Sequence, residues 1–239
     1  VQFADYASYL PEEFASVLEG PYEYTVGKDQ EIILPAYSKN GAEFLGWYDQ
    51  NENKVEMITS ETTGDLILTA KWNNVFIGEN GYETLEEAIA AAQAGDVLVL
   101  AEGEYNFPSV LSKSITLRGV DKQKTILNVL GASSTPKNLD ASDITFETLS
   151  LKGLYTSGNV SLENTANTKN ITVRNCIVTD FKTFMKIDQA ASGIVILYEN
   201  TTFESSSKNS YRTWRAHNST LRFVLIAREL TSTVCTNNS

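Results

Sequence analysis

The sequence predicts a mostly β protein in two parts. A small β-rich module over residues 1–74 is followed by a coil of stacked strands over residues 75–239, with a capping helix at its start. Three observations carry this. Short apolar runs rich in β-branched and aromatic residues alternate with glycine and asparagine through the first part. A single stretch of good helical grammar, Glu83 to Ile89, opens the second. Behind it an i, i+2, i+5, i+7 spacing of apolar residues recurs, as a repeating elongated fold requires.

In the first module, strands are expected at Tyr22–Val26, Glu31–Leu34, Glu43–Leu45 and Asp65–Thr69, with a short helix from Pro11 to Leu18. Gly27-Lys28-Asp29, Asn40-Gly41 and Thr63-Gly64-Asp65 supply the bends, because glycine and asparagine tolerate positive φ. A unit of this size has little core and needs large anchors. Trp47 and Trp72 are the obvious ones, with a sugar-stacking platform as the alternative use of the same rings.

Asn73-Asn74 reads as a short polar joint. Thr84 then caps a helix and Glu87, three residues on, closes the capping box. Leu85, Ala88, Ile89 and Ala92 form one apolar stripe, and Gly95 is the expected stop. Asp96–Leu100 and Ser114–Gly119 read as strands, with Gly103-Glu104-Tyr105 as a turn between them.

The recurring sets are Ile144, Phe146, Leu149, Leu151; then Ile171, Val173, Cys176, Val178; then Ile196, Tyr198, Thr201, Phe203. A fourth begins with Leu221, Phe223 and Ile226. Two inward residues, a two-residue bend and two further inward residues describe strands wound about a narrow core. Asn175 and Asn200 fall at the same bend position, where left-handed backbone suits asparagine. Third strands are expected at Val160–Leu162 and Phe184–Ile187. Successive turns should stack at about 4.8 Å with hydrogen bonds between them.

Two resemblances follow from these residues. Gly46-Trp47-Tyr48 after Phe44, then Thr62-Thr63-Gly64-Asp65 leading to Ala70-Lys71-Trp72, resembles the Listeria–Bacteroides surface repeat, related to the internalin B-repeat. That implies a small β-grasp-like module whose two tryptophans belong to the fold, with Gly46, Trp47, Tyr48, Lys71 and Trp72 as its motif. Residues 75–203, through Thr84–Ile89, Gly103-Glu104-Tyr105 and Ile115–Gly119, resemble the pectin lyase-like superfamily. That implies a right-handed, single-stranded parallel β-helix whose helix plugs the first coil. It implies nothing specific about activity, since the fold carries lyases, hydrolases, esterases and adhesive stalks.

The chain bears a net charge of −11, which argues against nucleic acid because phosphate binding needs a basic face. From Ser206 onward five basic residues face Glu229 alone, a local balance of +4 that marks residues 206–239 as different from the rest. No apolar run approaches the ~20 residues of a membrane span, and Val1-Gln2-Phe3 reads as mature protein, so no signal peptide is expected within this stretch. Cys176 sits at an apolar strand position and is expected in the core. With Cys235 and the lone His217 it matches no zinc spacing, so no metal and no cofactor are expected.

Superimposing the repeats places Glu147, Arg174 and Glu199 in one outward column. Two carboxylates about a cation are candidates for sugar cleavage; an alternating surface ladder is the other reading, worth about 1 kcal/mol or less per exposed pair. The enzymes of the resembled superfamily carry more: clustered aspartates with a histidine, or paired aspartates with a glutamine. Here Asp140, Asp143, Asp180, Asp188 and Gln189 have no such companions in sequence. The expectation is a non-catalytic, extracellular module of a bacterial surface protein, a stalk, adhesin or display element. It is expected to be a monomer within a longer multidomain chain, meeting a glycan or another surface protein. The alternatives are a polysaccharide-active β-helix and a glycan binder, the latter drawing on Trp214, Tyr211 or Tyr198.

Overall fold

The computed structural model describes residues 2–4, 31–129, 137–153, 162–181, 184–186 and 194–204. The expected fold class holds: the chain is mostly β, with a right-handed parallel β-solenoid, smaller β-rich sheets before it, and among the described residues one helix placed ahead of the solenoid. The expected helix at Pro11–Leu18 and strand at Tyr22–Val26 lie outside the described residues, as do Val160, Ile187 and everything from 205 onward.

The N-terminal unit contains β1 (Gln2–Ala4), β2 (Glu31–Ile33), β3 (Glu43–Tyr48), β4 (Lys54–Val55), β5 (Met57–Thr59) and β6 (Ile67–Asn73). One sheet runs β1-β6-β3-β4, with β1 parallel and the others antiparallel; β2 and β5 form a separate antiparallel pair. The strand expected at Glu43–Leu45 is longer, reaching Tyr48. It passes through Gly46 at φ 130°, with a register shift between Phe44 and Gly46. A bulge there keeps the ladder going and turns Trp47 into the core. β6 likewise begins later than expected and runs on through Lys71 and Trp72. Gly41 at φ 77° and Gly64 at φ 82° make the expected bends.

The antiparallel hairpin β7 (Val75–Ile77) and β8 (Asn80–Tyr82) opens the second part, followed by α1 (Leu85–Ala91). Its capping box is present, Glu87 N–H donating to Thr84 Oγ1 and Thr84 N–H to Glu87 Oε2, both at 3.2 Å. Leu85, Ala88 and Ala92 are buried, so the expected stripe is the one that covers the core. The stop differs. The helix ends at Ala92 in extended backbone, and Gly95, at φ 94°, instead turns the chain into the first parallel strand by donating its N–H to Ser114 O.

Three parallel sheets form the solenoid. The first extends the hairpin with β9 (Val97–Leu100), β12 (Thr116–Gly119), β15 (Asp143–Glu147), β18 (Asn170–Arg174) and β21 (Val195–Glu199). The second comprises β10 (Gly103–Asn106), β13 (Thr125–Val129), β16 (Ser150–Gly153), β19 (Ile177–Thr179) and β22 (Thr202–Glu204). The third comprises β11 (Val110–Leu111), β14 (Lys137–Leu139), β17 (Leu162–Asn164) and β20 (Met185–Lys186). Gly103–Tyr105 is therefore part of a strand and not a turn.

The register makes the core. Ile144 lies opposite Ile171, and Ile171 opposite Ile196. Beside them run Leu98, Leu117, Phe146, Val173 and Tyr198, each the Cα partner of the next. On the second sheet Tyr105, Leu127, Leu151, Val178 and Phe203 do the same. All but Phe203 are buried; that ring, on the last described strand, is 40% exposed and packs edge-on against Phe184 and Tyr198. Thr201, expected to point inward as an apolar residue, is half-buried and spends its hydroxyl on Val173 O and Glu199 O.

Candidate functional site

Outward positions of the first sheet alternate with the core columns, because successive strand residues face opposite sides. Val99, Arg118, Glu147, Arg174 and Glu199 are therefore in line, joined by consecutive register pairs. The expected column of Glu147, Arg174 and Glu199 is thus a neighbouring set in space, and Arg118 joins it from the strand before. Arg118 was missed because the bend after Gly119 is longer than in later turns: Leu117 and Leu127 are the register partners of Phe146 and Leu151, so the spacing that reveals the repeat is interrupted. The loop around Lys122 fills that gap.

Glu147 is the centre. Its Oε2 accepts from Arg118 Nε at 2.7 Å and its Oε1 lies 3.1 Å from Arg174 Nε, while its side chain is only 18% exposed. Burial pushes the carboxyl pKa up, but the Arg118 hydrogen bond and the charges of Arg118 and Arg174 outweigh it and hold the group below its ordinary value. A carboxylate held ionised between two guanidinium groups is a poor proton donor, and each of its oxygens already faces a cation. Chemically the triad is an ion-pair brace across three adjacent strands.

A depressed folded-state pKa stabilises the fold above the ordinary carboxylate range and loses that contribution as pH falls through the depressed value. Glu147→Gln should therefore lower stability at pH 7 by about 1 kcal/mol or less, since both arginines are nearly half exposed. Urea unfolding of the two proteins from pH 7 to 3 should show the difference vanish at the acid end. A difference that grows on acidification would contradict the brace.

The bend beside this column holds a second ladder. Thr148, Asn175 and Asn200 take φ of 54°, 52° and 45°, the left-handed geometry expected for the two asparagines. Asn200 Nδ2 donates to Asn175 Oδ1 and Asn175 Nδ2 to Thr148 Oγ1, both at 3.2 Å, and Lys122 Nζ donates to Asn175 Oδ1 at 3.3 Å. Thr148 was not foreseen; a β-branched residue rarely adopts this backbone, and here the Asn175 amide supports its hydroxyl. Cys176, one residue past the bend, is fully buried, and that burial pushes its thiol pKa up to about 11. Two units above the ordinary value means about 100-fold less thiolate near neutral pH. Peptide mapping after iodoacetamide at pH 8 should find Cys176 unmodified in the folded protein and alkylated in urea; rapid native labelling would place it elsewhere.

Asp140 and Asp143 serve the opposite bend. Asp143 accepts from Ser142 Oγ at 2.5 Å and Asn170 Nδ2 at 2.6 Å, and Asp140 accepts from the Thr165 hydroxyl and from Asn167 Nδ2 at 2.9 Å. Those hydrogen bonds lower both carboxyl pKa values. Asp180 sits at φ 59° in a further bend, while Asp188, Gln189, Tyr211, Trp214, His217 and Cys235 lie outside the described residues. Among the described residues no group of three or more His, Cys, Asp or Glu side chains is arranged to hold a metal ion.

No family model, curated protein or solved structure matches the chain.

In the N-terminal unit the motif residues are distributed between core and surface. Trp47 is 2% exposed, donates Nε1–H to Pro35 O at 2.8 Å, and meets Tyr37 and Phe44 edge-on at 5.8 and 5.9 Å. Trp72 is half-buried, its ring 4.9 Å from Phe44. Lys71 pairs with Glu52 and stands 4.9 Å above the Tyr48 ring. Gly46 leaves room for the Lys54 stem, which a Cβ would meet at 2.6 Å. No helix among the described residues is long and apolar enough to cross a membrane. Tyr198, as expected, faces inward and is buried.

Proposed function

We propose that this chain is a non-catalytic module of a bacterial surface protein, working outside the cell as a stalk, adhesin or display element. The observation that carries the reading is the state of Glu147. In the outward column that resembled a sugar-cleaving constellation, its central carboxylate, Glu147, is held by Arg118 and Arg174. Support comes also from the Gly46-Trp47-Tyr48 and Lys71-Trp72 phrases, which resemble a repeat of surface proteins, and from a solenoid whose nearest-neighbour stacking suits extension. On this reading the described aromatics of the N-terminal unit serve its packing, and any glycan or protein partner is met by outer strand faces.

Two measurements test it. Incubation with plant, host and bacterial polysaccharides should release neither new reducing ends nor unsaturated uronates; turnover of any of them overturns the non-catalytic reading. Antibodies to the chain should label intact cells of the source organism, and labelling that requires permeabilisation overturns the surface placement.

A further inference from the structure

Along the chain a single residue, Asn74, separates the N-terminal unit from the solenoid, since β6 ends at Asn73 and β7 begins at Val75. Every hydrogen-bonding group of this residue is engaged. Its N–H donates to Tyr82 O at 2.8 Å, and its C=O accepts from Ala101 N at 2.9 Å and from the Tyr105 hydroxyl at 3.1 Å. Its side-chain Nδ2 donates to Trp72 O at 3.3 Å and Glu83 O at 3.1 Å, and Oδ1 accepts from Lys39 Nζ at 2.8 Å. One residue, through its side-chain amide and its main chain, therefore ties the end of β6, the loop between β2 and β3, the hairpin and the first coil.

A second fastening lies beside it. Glu102 N–H donates to Asn40 O at 3.1 Å, and Asn40 Nδ2 donates to Glu102 Oε1 at 2.9 Å, which Lys124 Nζ also approaches at 3.4 Å. Gly41, at φ 77°, comes so close that a Cβ would stand 2.6 Å from Val120 Cγ1 and 3.2 Å from Ala101 Cα. Asn73 is packed the same way against Gly81, where a Cβ would meet its Nδ2 at 2.4 Å. The loop Lys39-Asn40-Gly41 is thus pressed onto the outer side of the first two bends of the solenoid.

We propose that Asn74 and the Lys39-Asn40-Gly41 loop form a lock that makes the N-terminal unit and the solenoid a single rigid body. A swing about Asn74 would break Lys39–Asn74 and both Asn40–Glu102 bonds together and expose Val120. Each such bond biases the closed form roughly five-fold, and the product of the three, on the order of 10²-fold, is the upper bound because two of them share Asn40 and Glu102. A joint of one residue also has no slack to take up. Load or torque applied to one unit is therefore passed to the first coil without hinge motion.

Backbone 15N relaxation on the full chain tests it. Amides of β3 and β6 and amides of β12, β15 and β18 should fit one rotational diffusion tensor. Two distinct correlation times in the unaltered protein would overturn the lock outright. In Lys39→Ala/Asn40→Ala, a change confined to one loop, and separately in Gly41→Val, the two sets should separate while amide exchange protection at Leu117 and Val173 persists. A single tensor retained in both variants would remove the role given to these residues.

Discussion

Ile171→Asp should unfold the solenoid. Ile171 is fully buried and has Ile144 on one side and Ile196 on the other, so a carboxylate there is surrounded by apolar atoms with no cation in the column. Burying an unpaired charge costs more than one hydrophobic side chain contributes, and the group must either ionise in a dry core or hold its proton at neutral pH. The expected loss is above about 4 kcal/mol, seen as a collapse of the β signal in circular dichroism and binding of a hydrophobic dye. Ile33→Asp is the control. Ile33 is 75% exposed on β2, and its substitution should change stability by no more than about 0.5 kcal/mol. If the two variants behaved alike, inward stacking of this column would be refuted.

Phe146→Ala is the second large effect. Phe146 is the largest of the completely buried side chains among the described residues, lies between Leu117 and Val173 in register, and its ring stands 6.1 Å from that of Phe107 across the core. Removing a buried phenyl costs about 3–5 kcal/mol through lost transfer energy and the cavity left behind. A narrow solenoid relaxes poorly, because its strands are pinned on both sides by main-chain hydrogen bonds. Urea midpoints with an unchanged slope should report the loss; a shift equivalent to less than about 1 kcal/mol would mean that the ring is not central to the stack.

Much of this architecture is legible in the sequence because its cause is local. The i, i+2, i+5, i+7 spacing follows from strand alternation broken by a two-residue bend, and Ile144, Ile171 and Ile196 needed no more than that to be placed in line. Thr84 and Glu87 disclose the helix start for the same reason. The asparagines at 175 and 200 were recognisable because left-handed backbone selects that residue type. Where local rules and tertiary contacts disagree, the reading failed. Gly46 continues a strand by bulging, Gly103–Tyr105 pairs with β13 instead of turning, and Thr148 occupies a backbone region its side chain disfavours. Each is settled by a partner strand far away in sequence.

The candidate column shows the same division. Regular spacing aligns Glu147, Arg174 and Glu199, whereas the longer bend near Lys122 breaks that spacing before Arg118. Whether a carboxylate is a free acid or a neutralised brace depends on angstrom-scale distances to groups 27 to 29 residues away, which spacing alone does not encode.

What the sequence by itself determined was the class: mostly β, a helix before a parallel coil, and the inward columns of Ile144 and Phe146. Side-chain polarity and backbone preference act within a few residues, and the repeat multiplies them. What only the tertiary structure decided was the closing of Glu147 by two arginines and the locking of Asn74 by Lys39, Tyr105 and Ala101. Those depend on hydrogen-bond geometry between segments that meet only when the coil has wound, and no one-dimensional pattern contains that meeting.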